Sequence, residues 1–299
     1  MTKPTLIVLA AGMGSRYGKL KQMDGFGPNG ETIIDYSIYD AIQAGFGKVV
    51  FIVREYFKDE FQAAMDPKFG DKIELVYVTQ ELDNIPGGVE VNPDREKPWG
   101  TAHAVWVAKN VVNEPFAVIN ADDFYGADSY KVLNDYLTRD TTDNYAVVAY
   151  YLKNTLSDHG TVNRGVCYSN EAKHLTKVVE CVKIEREADG VVRFPNGEGK
   201  KELADDTLVS MNMWAFKPSY FKHVDIQFEN FLKSAGMELK SEFYIPSAVD
   251  KLINEGTLNV DVLDTNSSWF GVTYQEDKPI VMEKLNALIE AGEYPEKLY

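Results

Sequence analysis

Residues 5–22 read TLIVLAAGMGSRYGKLKQ, and this stretch decides the fold. Residues 5–10 (TLIVLA) form a continuous apolar run, as expected of a parallel strand covered on both faces. The run passes directly into a glycine-rich loop over 12–30. The small residues Ala10, Ala11, Gly12 and Gly14 let backbone N–H groups come close to phosphate oxygens. Arg16 offers a forked donor to phosphate, and Lys21 offers a point charge.

Outward from this segment, strand and helix patterns alternate. Ile34, Ile38, Ala41 and Ile42 recur at helical spacing, with Gly45 and Gly47 closing the helix. Strands are predicted at 48–53, 73–78 and 116–120, and helices at 56–65, 101–112 and 129–139. A βαβα order of this kind implies an α/β fold with a doubly wound, mostly parallel sheet. Ligands then bind beyond the carboxyl ends of the strands. From residue 145 onward strands dominate, at 146–152, 175–183 and 208–216, with a charged, glycine-containing hairpin or loop at 187–206. Helical spacing returns at 245–255 and 279–291, so added strands and C-terminal helices complete the fold. Neither an internal repeat nor a Pro/Ser-rich linker divides the chain, which reads as one domain over 1–299.

Composition bounds the partners. With 31 basic and 46 acidic residues among 299, the formal charge is −15, which disfavours nucleic acid because polyanion binding needs a basic footprint. Any anionic substrate requires a local positive pocket within that field. Cys167 and Cys181 are the two cysteines, with no CxxC pattern, and the histidines (His103, His159, His174, His223) show no metal-ligand spacing. The apolar run after Pro4 is too short for a signal peptide and no segment reaches membrane-spanning length, so a cytoplasmic protein without membrane contact is expected. Oligomeric state is left open.

Counting excludes two familiar glycine motifs. A dinucleotide fingerprint requires Gly where Tyr17 stands; a P-loop ending at Gly18-Lys19 requires Gly at Met13 and Ser or Thr at Leu20. A further chemical segment is Asn120-Ala121-Asp122-Asp123-Phe124-Tyr125-Gly126, at the end of a predicted strand. Carboxylates in that position suit Mg²⁺, a hard ion satisfied by one or two carboxylates together with phosphates and water.

These residues resemble the sugar-phosphate nucleotidyltransferase family. Its nucleotide-binding signature, Leu-Ala-Ala-Gly-x-Gly-Ser/Thr-Arg, is matched from Leu9 to Arg16, Ser15 included, and Lys21 takes the place of the lysine that follows. Gly100-Thr101-Ala102-His103-Ala104 resembles a second element of the family, Gly-Thr-Ala-x-Ala opening a helix. The resemblance implies a Rossmann-like nucleotide-diphospho-sugar transferase fold, with a nucleotide-binding part at 1–140 and an acceptor-binding and C-terminal part at 141–299. It implies catalytic roles for Arg16 and Lys21, and nucleotide contacts from Ala10, Ala11, Gly12, Gly14, Ser15, Gln80, Gly100 and Thr101. Asp122 takes the place of the metal ligand, and Asp123, Glu180 and Asn212 face the acceptor. Lys183 and Glu242 are weaker correspondences.

One departure stands out. Many relatives carry a second metal-binding aspartate in a Trp-x-Asp context, whereas this chain reads Trp269-Phe270-Gly271-Val272-Thr273, with Asp264 upstream and Asp277 downstream. The implied activity joins the nucleoside monophosphate of an NTP to a phosphorylated small molecule, a sugar 1-phosphate first and phosphocholine or another alcohol phosphate as the alternative. A nucleotide-sensing module without turnover is the reading from another class. A glycosyltransferase of similar fold would have no need of Arg16 and Lys21 aimed at a triphosphate.

Overall fold

The computed structural model describes residues 2–12, 24–157, 160–271 and 278–299. Thr5–Leu9 form β1, as the apolar run predicts, and Ile33–Ala44 form α1. The helix starts on a reciprocal cap: Asp35 N donates to the Thr32 hydroxyl at 3.2 Å, and Thr32 N donates to the Asp35 carboxylate at 2.8 Å. Such a cap contributes about 1 kcal/mol. The helix ends on Gly45 at φ 105°, a left-handed conformation that favours glycine. Then follow β2 (Lys48–Val53), α2 (Lys58–Phe69), β3 (Glu74–Thr79), the short α3 (Thr101–Trp106), β4 (Phe116–Asn120), the two-residue β5 (Asp123–Phe124) and α4 (Ala127–Arg139).

The second half contributes β6 (Tyr145–Tyr151), β7 (Val162–Ser169), β8 (Leu175–Arg186), β9 (Val192–Asn196), β10 (Gly199–Leu203) and β11 (Leu208–Phe216). It closes with α5 (Ser219–Ala235), α6 (Ile245–Asn254), β12 (Val260–Thr265), β13 (Phe270–Gly271) and α7 (Lys278–Glu290). The predicted hairpin within 187–206 is β9–β10, while β7, α5 and β12 have no counterpart in the sequence reading.

The strand order β11-β4-β1-β2-β3 sets out the doubly wound half: β1 pairs in parallel with both β2 and β4, and β2 with β3. The chain steps outward in opposite directions on the two sides of β1, so the crevice opens beyond the carboxyl ends of β1 and β4. The added strands pair antiparallel with β11 and with one another, except β12, which lies parallel to β6.

Helices cover both faces. Ile34 and Ile38 of α1, Phe61 and Met65 of α2 and Leu133 of α4 pack with Leu6, Val8 and Phe51 on one side of the sheet. Val105 of α3, Val224 and Phe228 of α5 and Val249 of α6 pack with Ile7, Val50 and Trp214 on the other. A third cluster joins Tyr36, Phe124, Phe270 and Leu285, docking α7 beside β5 and β13. Among the described residues no helix is long and apolar enough to cross a membrane.

Candidate active site

A cleft of about 610 Å³ opens at the switch point. Four parallel strands deliver residues to it from their carboxyl ends: Leu9 ending β1 with Ala11 and Gly12 beyond it, Arg54 after β2, Gln80 after β3, and Asn120 ending β4 with Asp122 beyond it. The loops leave the sheet in step, because Ala10 N donates to Ile52 O at 2.9 Å, Gln80 N to Val53 O at 2.8 Å, and Ala121 N to Leu9 O at 3.2 Å. The opposite wall is Glu96–Pro98, Gly100, Thr101, Ala104 and Glu242.

That wall is held by a buried arginine. Arg95 Nε donates to Lys97 O at 2.7 Å, and its terminal nitrogens reach Glu238 O at 2.7 Å and Pro98 O at 3.1 Å, while the guanidinium lies 3.7 Å from the Trp99 ring centre. Gly100 sits at φ 103°, and a Cβ there would lie 2.6 Å from Phe243 O. The glycine is therefore required twice, by its backbone conformation and by the close approach of residue 243. Lys97 forms an ion pair with Glu242, which precedes α6 as the sequence suggests.

Arg54 adds positive charge that the motif reading missed. Its Nε and Nη2 meet Glu81 at 3.1 and 3.0 Å, and burial of Glu81 is outweighed by this fork and by the Glu55 N–H, which hold its pKa below the ordinary value.

Beside Asn120 the structure is built around a bulge in β11. β11 pairs with β7 at Val209 and Ser210 and with β4 from Trp214 onward, and its register against β6 shifts between Ser210 and Met213. Asn212 lies in this bulge at φ 60°, a conformation in which asparagine is enriched. Its Nδ2 donates to Asn120 Oδ1 at 2.8 Å, its Oδ1 accepts from Trp214 Nε1 at 2.8 Å, and Asn120 Nδ2 donates to Asp123 Oδ2 at 2.9 Å. The Tyr125 hydroxyl lies 3.1 Å from Met211 O and accepts from Asn120 N at 3.1 Å. Asp123 and Asn212 are thus brought together, 89 residues apart in sequence.

Glu180 lies inside β8, not after a strand, and pairs with Gly165 of β7. Beside it stands Arg164, absent from the sequence reading. The guanidinium donates to Asn163 O at 2.8 Å and to Thr155 O, and stacks 4.7 Å from the Trp269 ring centre. Burial lowers its pKa to about 10, against the opposing pull of Asp123 and Glu180. Its sequence signal was a basic residue immediately before the cramped Gly165, where a Cβ would lie 2.7 Å from Val178. Lys183 is exposed at φ 55°, its N–H bound by Asn163 Oδ1 at 2.9 Å.

Asp264 is separated from Asp122. It lies on β12, which reaches β4 only across β6 and β11, three strand spacings or roughly 14 Å. Its carboxylate accepts from Tyr151 OH at 2.8 Å. Among the described residues no group of three or more His, Cys, Asp or Glu is arranged to hold a metal. Gly14, Ser15, Arg16, Lys21 and Asp277 lie outside the described residues. Ala11, Gly12, Gln80, Gly100, Thr101 and Asp122 all line this cleft, whereas Ala10 is buried in the core with Leu6, Val8 and Ile34 and its N–H is held by Ile52 O.

The profile of the nucleotidyl transferase family matches residues 5–272, and the chain belongs to that family. It is accordingly a nucleotidyltransferase. UTP–glucose-1-phosphate uridylyltransferase 1 of Staphylococcus saprophyticus is 23% identical to it over 236 residues, 74% of each chain. The UTP–glucose-1-phosphate uridylyltransferase of Bacillus subtilis is 28% identical over 137 residues, 41% of this chain and 45% of that one. Among solved structures, the inositol-1-phosphate CTP transferase of T. maritima superposes with a TM-score of 0.61 at 15% identity, covering 96% of this chain and 97% of the other. A putative glucose-1-phosphate thymidylyltransferase of Bacillus anthracis, solved with sucrose, gives 0.61 at 14% identity, covering 96% and 95%. At such identities the two structures show a shared fold.

Proposed function

We propose that the chain transfers a nucleoside monophosphate from an NTP to a sugar 1-phosphate and releases pyrophosphate. The observation that carries this reading is the continuity of the switch-point cleft with the Asn120–Asp123–Asn212 network. A nucleotide-sized slot thereby ends against amide and carboxylate groups suited to hydroxyls, since a carboxylate accepts from two hydroxyls at once. The relatives' names, which all refer to sugar or cyclitol 1-phosphates, favour the same class of acceptor.

In the reaction an acceptor phosphate oxygen attacks the α-phosphorus, the bond to the bridging oxygen breaks, and pyrophosphate leaves with that electron pair. A phosphate monoester has its second pKa near ~6, so the nucleophile is already ionised at neutral pH and no general base is required. The protein's task is to align two anions and offset their repulsion. Arg16 and Lys21 take the triphosphate charge in this scheme, with backbone N–H groups from Ala11–Ser15, since the Ala10 N–H is held by Ile52 O. Gln80, Gly100 and Thr101 frame the base, and Asp123, Glu180 and Asn212 the sugar.

Asp122 lines the cleft together with Ala11 and Gly12, and one carboxylate with phosphate and water oxygens is a donor set that fits Mg²⁺. When bound, the ion neutralises charge on the phosphates. Asp264 is too far to share it.

A pyrophosphate-release matrix tests the proposal: the common NTPs against sugar 1-phosphates, phosphocholine and alditol phosphates. Turnover with sugar 1-phosphates is expected. Turnover confined to phosphocholine or an alditol phosphate would overturn the acceptor assignment, and NTP binding without pyrophosphate release would favour a sensor.

A further inference from the structure

His103 occupies the variable position of Gly100-Thr101-Ala102-His103-Ala104, is wholly buried, and has no place in the phosphate or acceptor chemistry. Its ring stacks on Phe228, with centroids 4.8 Å apart. One ring nitrogen, Nε2, lies 2.8 Å from Asn84 O, and the other, Nδ1, lies 3.1 Å from Gln80 Nε2. Gln80 Nε2 also lies 3.1 Å from Gly100 O.

Only one assignment of protons satisfies all these contacts. The carbonyls of Asn84 and Gly100 can only accept, so the Gln80 amide must turn its NH₂ toward Gly100, and His103 Nε2 must carry the ring proton. His103 Nδ1 is then a bare acceptor and takes the second Gln80 N–H. Burial keeps the ring neutral, lowering its pKa to about 4, with the Asn84 carbonyl pulling upward and Arg95 pushing down. The relay is complete at neutral pH and uses both Gln80 N–H groups. What remains is Oε1, which takes no hydrogen bond among the described residues, on a side chain that lines the cleft.

We infer that His103 is a positioning residue that presents Gln80 to the base as a hydrogen-bond acceptor only, so that the enzyme selects NTPs whose base carries a ring N–H on its pairing edge. Uracil, thymine and guanine carry that hydrogen. Cytosine and adenine place a ring lone pair there, which would face the Oε1 lone pairs. A freely rotating glutamine could flip to suit either kind of base; the Gly100 carbonyl and the histidine together remove that freedom, the histidine by taking the second N–H. This inference rests on the nucleotidyl-transfer reading and on the base lying in the slot beside Gln80.

The test measures kcat/KM for pyrophosphate release with UTP, dTTP, GTP, CTP, ATP and N3-methyl-UTP, using an acceptor that supports turnover. Sites built around a substrate N–H reject analogues that lack it strongly, so UTP should exceed both CTP and N3-methyl-UTP by about 100-fold or more. Equal or better use of CTP or ATP would overturn the inference while leaving nucleotidyl transfer in place. Absence of release with every NTP would instead overturn the underlying reaction.

Two variants test the role of the histidine. His103→Leu removes the acceptor and should collapse the UTP-to-CTP ratio about tenfold, mainly through KM for UTP. His103→Asn keeps an acceptor near the Nδ1 position and should restore most of the ratio. A packing role alone would lower stability in both variants and leave the ratio unchanged, and that result would also overturn the inference. The nucleotide series on the unmodified enzyme decides the matter even where a variant fails to fold.

Discussion

The side-chain amide of Asn212 donates to Asn120 Oδ1 across 2.8 Å, joining a bulge in β11 to the carboxyl end of β4. This contact closes the gap where β11 passes from β7 to β4, and through Asn120 it orients Asp123. Residues from the two halves of the chain therefore meet at Asn120, where the proposed reaction would align phosphate and acceptor. Asn212→Ala is expected to raise KM for the acceptor about tenfold, with a smaller change for the NTP. Asn120→Ala should have a similar effect, and the double variant should be no worse than the more severe single one, because both remove the same link. Steady-state kinetics with each substrate varied in turn checks this; fully additive losses would show that the amides act separately.

Gly271 stands beside Asp123 in the β5–β13 ladder, in the Trp269-Phe270-Gly271 segment where the family resemblance implies a second aspartate. A Cβ at 271 would lie 2.6 Å from Asp123 Oδ1 and 3.1 Å from the Trp269 ring. Gly271→Asp should not build a second metal site. It should displace Asp123 from Asn120 and lower stability by about 1–3 kcal/mol, as crowding of a packed site does. Urea unfolding together with Mn²⁺ titration is the check, and a gain of one bound ion at unchanged stability would count against this expectation.

Much of the first half of the fold was legible in the sequence, because buried parallel strands are continuous apolar runs and 48–53 and 116–120 match β2 and β4 end to end. β12 was missed because Asp261 and Asp264 interrupt its apolar residues, as befits a strand that pairs with β6 and, among the described residues, has no strand on its other side. β7 was missed because Asn163, Arg164 and Gly165 give it a polar, turn-like start. α5 was legible but unread: Tyr220, Val224, Phe228 and Leu232 recur every four residues. At the cleft, Ala11, Gly12 and Asp122 stood out in the sequence by motif. The roles of Arg54, Arg164 and His103 depend on partners such as Glu81, Trp269 and Gln80, and local spacing carries no signal for contacts made only by folding.

Charge at the triphosphate gives the next prediction. Lys21→Ala should lower kcat on the order of 10²-fold or more, as loss of a transition-state charge contact does. Asp122→Asn keeps the shape of the side chain and removes the anionic ligand, so activity should collapse with only partial recovery in excess Mg²⁺. Unfolding midpoints should stay close to the unmodified protein in both cases. Near-normal turnover of Lys21→Ala at saturating substrate would remove that lysine from the catalytic machinery.

The last prediction concerns pH and a carboxyl far from the chemistry. Asp40 of α1 is 2% exposed and accepts from Tyr294 OH at 2.7 Å, a contact that ties the segment after α7 to α1. Burial raises its pKa from 3.8 to about 8, with the Tyr294 hydrogen bond opposing and Glu293 adding to the rise. Between those values the folded protein holds a proton that the unfolded chain has already lost. Unfolding releases it, so this group favours folding most at low pH and progressively less as pH rises through 4 to 8. His103 has the opposite sign, its lowered pKa making folding more favourable as pH rises from about 4 to 6.5. Asp40→Asn keeps an acceptor for Tyr294 and removes the ionisation. The variant should therefore gain on the unmodified protein steadily from pH 5 to pH 8 and hold a constant advantage above that range, while the His103 contribution cancels in the comparison. Urea unfolding midpoints of the two proteins across this range measure the difference directly. A difference that does not change with pH would mean that Asp40 is already ionised in the folded state.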